Sequence, residues 1–365
     1  MPSRTSYEVH PLTFPQTVSF TITNNCNLRC QMCGQWSVEG YMRPPRWSGR
    51  GSRPGSLKEE LGLSDWKRLV DELAEHGIKG VLLRGGEVFL YPDIISLLDY
   101  IRSKGIFPSI DTNGTQLARH AADLVRIGAM HLTISVDGAE EGHDSVRGVK
   151  GTFRKVREGL ARLAEEEKKR GTVLSKSITF TISPYSYRDL AKMPDVARDL
   201  GIKSICIVPY YYFPQAVGAR YEEELRRNFG CEAFSWRGFH HEESGVDVDA
   251  FLRELRAYRA TLGGIEDYPY LRMSEEEYRT WFSGALAPAG PLDCANVEKL
   301  IDIQPSGEAD FCVDFPDFAI GSVRGSTITE LWNSPRAEAF REYRRRQPLA
   351  VCYRCGAKYM AQIRG

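Results

Sequence analysis

Three cysteines, Cys26, Cys30 and Cys33, stand in the stretch NNCNLRCQMCG with three and then two residues between them. Thiols this close in sequence point to a shared metal rather than to packing. A structural zinc takes four ligands, and no fourth thiol or imidazole follows nearby. A catalytic zinc accepts three, which usually include histidine. Three thiolates suit a [4Fe–4S] cluster better: each holds one iron, and the fourth iron is open to a cofactor or substrate. A second group, Cys294, Cys312, Cys352 and Cys355, has 17, 39 and 2 intervening residues. With its CxxC this pattern suits structural zinc as well as an iron–sulfur cluster, and spacing leaves both open. Of the remaining two cysteines, Cys206 lies in an apolar run and reads as core. Cys231 lies in an aromatic segment, where it reads as a packed thiol or a hydrogen-atom donor.

The chain has 365 residues, 42% apolar and 26% charged, with 48 basic and 48 acidic side chains. That balance argues against a broad basic field for nucleic acid. No run approaches the ~18 apolar residues of a membrane span, and the segment MPSRTSYEVHPLTF lacks an apolar signal core. A soluble cytoplasmic protein is expected. Nine cysteines, an odd number, argue against a disulfide framework in that compartment.

The elements that must position these thiols alternate. β-rich runs at 17–23, 80–85, 107–112, 131–136, 177–182 and 204–209 are separated by amphipathic segments. In SDWKRLVDELAEHG, Trp66, Leu69, Val70 and Leu73 fall at helical spacing, with Ser64 as the expected N-cap and Gly77 as the stop. Pro92 opens and Gly105 closes the next helix. Strand–helix alternation implies a parallel α/β sheet, either open and doubly wound or a partial barrel. The first thiol loop follows the first strand, at the sheet edge where such folds place their sites. Residues 37–60 read as a long Gly/Pro/Arg-rich loop. Residues 210–285 are aromatic and largely helical. Around Cys312, KLIDIQ and ADFCVDF read as a hairpin turning at Pro305–Gly307, followed by a helical stretch capped by Ser326 with a break at Pro335.

The three-cysteine loop resembles the signature of the radical SAM enzymes. Gly85-Gly86-Glu87 resembles their GGE, and Asp144-Ser-Val-Arg147-Gly their DxxRG. Asn113 in DTNG and Ser135 and Asp137 in SVDG resemble the polar strand ends that face S-adenosylmethionine (SAM). The resemblance implies a partial (β/α)6 TIM-type barrel over 17–209 after an extension at 1–16. SAM would chelate the open iron and be cleaved to a 5′-deoxyadenosyl radical, with a flavodoxin- or ferredoxin-type protein as electron donor. It assigns Glu87 to the SAM amino group, Ser135 to the ribose and Arg147 to the methionine carboxylate. Met32 stands where the family often has an aromatic residue near adenine.

The C-terminal phrases PSGEADFC, AIGSV, TITELWNS and CYRCG resemble the SPASM/Twitch extensions of that family, here over 286–365. Four cysteines resemble the shorter Twitch form. This implies one auxiliary [4Fe–4S] cluster held by Cys294, Cys312, Cys352 and Cys355. The segment 210–285 would bridge the two parts on the substrate side. The expected reaction is a two-electron oxidation, with the auxiliary cluster as electron acceptor, of a small polar metabolite such as a sugar or cyclitol. The runner-up is crosslinking or epimerisation of a ribosomally made peptide. About 16 residues precede the first strand, too few for a fused leader-binding domain of ~80 residues, the size of a small domain. A non-catalytic iron–sulfur or zinc protein is the alternative of another class; such a protein needs no GGE or DxxRG.

Overall fold

The computed structural model describes residues 13–37, 40–42, 60–268, 271, 273–284 and 294–356. Most of the 37–60 loop, residues 1–12 of the expected extension, and residues 286–293 and 357–365 of the expected C-terminal module lie outside them.

Six strands follow one another as expected: β1 Thr17–Thr21, β2 Gly80–Arg84, β3 Phe107–Thr112, β4 His131–Ser135, β5 Ser175–Ile182 and β6 Ser204–Pro209. Each pairs with the next in parallel. The crossovers carry α1 Leu63–Glu75, α2 Ile94–Ser103, α3 Leu117–Ile127, α4 Glu140–Arg147, α5 Thr152–Arg170 and α6 Met193–Asp199. Helical spacing places Trp66, Leu69, Val70 and Leu73 of α1 in the core, all at 0% exposure. The N-cap of α1 is Gly62 rather than Ser64. The Asp65 carboxylate accepts the Gly62 backbone N–H at 3.0 Å, which fixes the helix start two residues early.

β1 is buried on both faces. In β1, Val18 and Phe20 alternate with Ser19 and Thr21, and all are 4% exposed or less. Thr21 donates to Asp302 at 3.1 Å. The polar set therefore faces a hydrogen-bonding interior while the apolar set packs in the core.

Beyond β6, α7 Gln215–Phe229, α8 Val248–Ala260, the short β7 Glu266–Asp267 and α9 Glu275–Phe282 form the middle of the chain. Tyr212, Tyr221, Phe251, Tyr258 and Tyr278 are each buried to 1% exposure or less, so these aromatics are chiefly core.

The C-terminal part contains α10 Ala295–Lys299, β8 Leu300–Ile303, β9 Glu308–Asp310, β10 Gly321–Ser322, α11 Ile328–Trp332 and α12 Pro335–Arg346. The expected hairpin is β8–β9, antiparallel and closed at Gly307 with φ +89. Thr327, not Ser326, caps α11, its hydroxyl accepting the Glu330 N–H at 3.1 Å. Pro335 starts α12 at its first position, where its missing N–H costs nothing.

The hairpin does not stand apart as a separate module. β8 pairs in parallel with β1, matching Ser19 to Asp302, so the sheet runs β10-β9-β8-β1-β2-β3-β4-β5-β6-β7. β1 and β6 are not paired among the described residues, and the sheet is open. No helix among the described residues is long and apolar enough to cross a membrane.

Candidate active site

At the C-terminal ends of the strands lies a cavity of about 380 Å³. Cys26, Cys30 and Cys33 line it, with Met32, Gly85, Gly86, Asn113, Ser135 and Arg147. Two motifs hold the cysteine loop there. On one side the Gly86 and Glu87 N–H groups donate to the Thr23 and Asn25 carbonyls at 2.8 and 2.7 Å. A Cβ on Gly86 would stand 2.2 Å from the Asn25 carbonyl oxygen. On the other side the Gln31 N–H donates to Val146 at 2.9 Å and the Arg29 N–H to Arg147 at 3.2 Å. Gly148 has φ +71, and a Cβ there would stand 2.4 Å from the Arg29 carbonyl oxygen. The glycines of GGE and DSVRG thus allow close approach to the thiol loop itself.

Within the loop, the Leu28 N–H points to Cys26 Sγ at 3.5 Å and the Trp36 N–H to Cys33 Sγ at 3.4 Å. Arg147 Nη1 stands 3.7 Å from Cys30 Sγ. Burial pushes the Cys26 thiol up to about 11. It pushes Cys30 up to about 12, against the pull of Arg147. Thiols so placed ionise when a metal takes the proton's position.

Two expected SAM contacts, Glu87 and Asp137, are buried and are not among the residues lining the cavity. Glu87 is 1% exposed. Its carboxylate accepts the Thr112 hydroxyl at 2.7 Å, the Asn113 N–H at 2.7 Å and the Phe89 N–H at 3.1 Å. Burial, opposed by these bonds, raises its pKa. Asp137 is 0% exposed and stands behind Arg147, with 2.6 Å between Oδ2 and Nη2. Its Oδ1 accepts the Thr181 N–H at 2.8 Å. Burial raises the Asp137 pKa against the pull of Arg147. In this structure Glu87 ties the ends of β2 and β3 together, and Asp137 fixes Arg147 over Cys30.

Cys231 is the residue read as a packed thiol or a hydrogen-atom donor. It is not on the cavity wall. Its thiol points to the Phe229 carbonyl at 3.5 Å, and Arg336 Nη2 stands 2.9 Å from it. Cys206 is 7% exposed in β6, as read.

Arg84, Asp111, Tyr211 and Asp314, to which the family resemblance assigns no role, also line the cavity. Arg84 stands 3.7 Å from Asp314. Burial raises the pKa of Asp111, against Arg84 and a hydrogen bond from Thr133. Asp111 was within reach of pattern reasoning, since alternation puts it on the same face as Asn113. Asp314 carried no such signal, because only folding brings its loop to the strand ends.

The four remaining cysteines line one second, apolar cavity of about 50 Å³, with Phe311, Phe315 and Arg344. Burial raises the pKa of Cys352 and of Cys312. The Asp310 carboxylate accepts the Cys312 N–H at 3.0 Å. Among the described residues no three of His, Cys, Asp and Glu converge as ligands of a single metal ion would. The donor set, four thiols and no imidazole, fits a fully ligated iron–sulfur cluster. The first site, three thiols with no further cysteine or histidine on its described wall, fits a cluster with one iron open.

Comparison with known proteins agrees. A family profile described as "Radical SAM superfamily" matches residues 20–197, and the SPASM profile, "Iron-sulfur cluster-binding domain", matches residues 294–356. The chain belongs to the radical SAM superfamily and carries a SPASM domain. Its cofactors are SAM, the SAM-binding [4Fe–4S] cluster and an auxiliary cluster. Zinc at the four-cysteine site and a non-catalytic protein are thereby set aside. Fe-coproporphyrin III synthase of Methanosarcina barkeri (strain Fusaro / DSM 804) is 27% identical over 93% of this chain and 80% of that protein. PqqA peptide cyclase of Rhodopseudomonas palustris (strain ATCC BAA-98 / CGA009) is 27% identical over 93% of this chain and 79% of that one. Streptococcus suis SuiB bound to S-adenosylmethionine shares the fold, with a TM-score of 0.60 at 15% identity over 95% of this chain and 73% of SuiB.

Proposed function

We propose that this radical SAM enzyme performs a two-electron oxidation of its substrate, with the auxiliary cluster receiving the electron. The observation that carries the reading is a shared wall. Cys312 lines the auxiliary cavity, while Val313 and Asp314, the next two residues, line the SAM-side cavity. Tyr211 on that wall donates to Asp314 Oδ2 at 3.1 Å, and its ring packs at 5.6 Å against Phe315, which lines the auxiliary cavity.

When bound, the SAM cluster supplies one electron that splits SAM into methionine and the radical that takes hydrogen from a substrate C–H bond. Cys26, Cys30 and Cys33 hold that cluster. Arg147, fixed by Asp137, presents its guanidinium beside Cys30 for the methionine carboxylate of SAM. Met32, Asn113 and Ser135 line the remaining length of the cofactor. Glu87 acts through the strand ends it ties together. Asp111 is positioned to take the proton that the substrate releases when its second electron leaves.

Arg84, Asp111 and Asp314 on the cavity wall, one guanidinium and two carboxylates, suit a hydroxyl- or amine-bearing group. They suit the propionates of a porphyrin poorly, which places a haem-precursor substrate behind the others. The peptide relative favours a polar side chain of a peptide as the group oxidised. A sugar or cyclitol fits the same wall and stands second, since no relative reported above is named for one. The electron donor belongs to the flavodoxin or ferredoxin class.

Deuterium transfer tests this. Reduced, iron-loaded protein with SAM should form 5′-deoxyadenosine carrying deuterium from a side-chain-deuterated peptide. Label arriving only from a deuterated polyol would sink the peptide reading and keep the oxidation. No 5′-deoxyadenosine at full iron content would sink the enzymatic reading altogether.

A further inference from the structure

Helix α12 carries five arginines: Arg336, which donates to the Ala319 carbonyl at 2.7 Å, and Arg341, Arg344, Arg345 and Arg346. Three face carboxylates: Arg341 stands 3.6 Å from Glu338, Arg345 2.9 Å from Glu298 and Arg346 3.3 Å from Glu342. Arg344 does not. It is 5% exposed, and Nη1 donates to the Gln347 backbone carbonyl at 2.6 Å. Among the described residues no carboxylate lies within ion-pair distance of it. What Arg344 faces is the wall it shares with Cys294, Cys312, Cys352 and Cys355.

A buried guanidinium needs a counter-charge. The sulfurs of Cys294, Cys312, Cys352 and Cys355 line the same buried cavity as this guanidinium. As cluster ligands these sulfurs are thiolates, and the cluster with its four thiolates is an anion whose charge grows by one on reduction. A fixed cation in a dry, apolar cavity interacts more strongly with the more negative state.

We infer that Arg344 sets the auxiliary cluster as an electron acceptor, its buried charge favouring the reduced state and raising the reduction potential. The inference rests on reading the four-cysteine site as the redox partner in the reaction. In that step the substrate radical gives up one electron and one proton. The electron goes to the cluster, and the proton goes to a carboxylate of the cavity wall. Arg344 is a tuning residue and does not touch the substrate.

The test is a potentiometric titration followed by electron paramagnetic resonance. The full chain is used with Cys26, Cys30 and Cys33 changed to alanine, so that the auxiliary signal is seen alone. Arg344→Gln should shift the equilibrium at least tenfold towards the oxidised cluster, a fall of about 59 mV for one electron. Arg344→Lys keeps the charge and should stay within about threefold of the parent, or under ~30 mV by the same conversion. An unmoved potential in Arg344→Gln at equal iron content would overturn the inference. So would a fall in Arg344→Lys of the size expected for glutamine, which decides the matter if the glutamine variant holds no iron. Absence of any cluster in the parent would instead remove the redox reading of the four-cysteine site.

Discussion

Gly86 leaves no space for a methyl group, because the Asn25 carbonyl oxygen would lie 2.2 Å from its Cβ. Backbone on both sides cannot yield, so Gly86→Ala should displace the thiol loop. Iron at the SAM site should be lost while the auxiliary site keeps its own; iron analysis showing full loading of both would contradict this. Glu87→Gln replaces one accepting carboxylate oxygen with an NH2 group that can only donate. The expected cost is about 1–3 kcal/mol for the bond left unmade, seen as a lower midpoint in denaturant. His143 gives a pH signature. It is 0% exposed, and burial, then the charge of Arg147, lower its pKa to about 3. The unfolded chain takes up this proton near pH 6.5 and the fold does not, so stability falls as pH drops below that value. The slope is about 1.4 kcal/mol per unit, or roughly 2 kcal/mol between pH 6.5 and 5. Urea unfolding of wild type and His143→Gln should diverge by that amount over the range; parallel profiles would refute the assignment.

At the scale of elements, the first six strands were legible because β-rich runs and helical periodicity alternate cleanly. The loop–strand order then placed the thiols at the strand ends. Less legible was anything that depends on distant pairing. β8 continues the sheet by lying parallel to β1, and no local pattern in LIDI announces that register. Glu72 illustrates the same limit. It lies on α1, yet its carboxylate accepts the N–H groups of Ile328 and Thr329, both at 2.9 Å, at the start of α11. An acidic residue on a helix face reads as solvated, and only the fold reveals it as a cap for another helix. Removing it in Glu72→Ala should cost about 0.5–2 kcal/mol, the range for helix caps. Limited proteolysis should then cut near α11 sooner than in the wild type. Unchanged digestion and melting would show that the β1–β8 ladder alone holds the C-terminal part in place.

For the whole molecule, two thiol sites on opposite sides of one wall define what the chain can do. The two cysteine groups stood out by their spacing, and the polar strand ends by their resemblance to the family's motifs. The roles of those strand-end residues were less evident. Glu87 and Asp137 resemble SAM ligands in the sequence; in the fold both are buried, Glu87 bonded to Thr112 and Asn113 and Asp137 paired with Arg147. The decisive wall residues, Asp111, Tyr211 and Asp314, come from three separate segments. The proposed oxidation requires an open cluster and a separate, fully ligated one in the same chain. The measurement that tests it most directly is iron, sulfide and zinc per chain after anaerobic reconstitution. It should be made on the wild type and on the variant with Cys26, Cys30 and Cys33 all changed to alanine. Two clusters predict about eight irons in the wild type and about four in the variant. About four irons in the wild type, none in the variant and one zinc in both would contradict the account, because the C-terminal site would then be structural and no electron acceptor would remain.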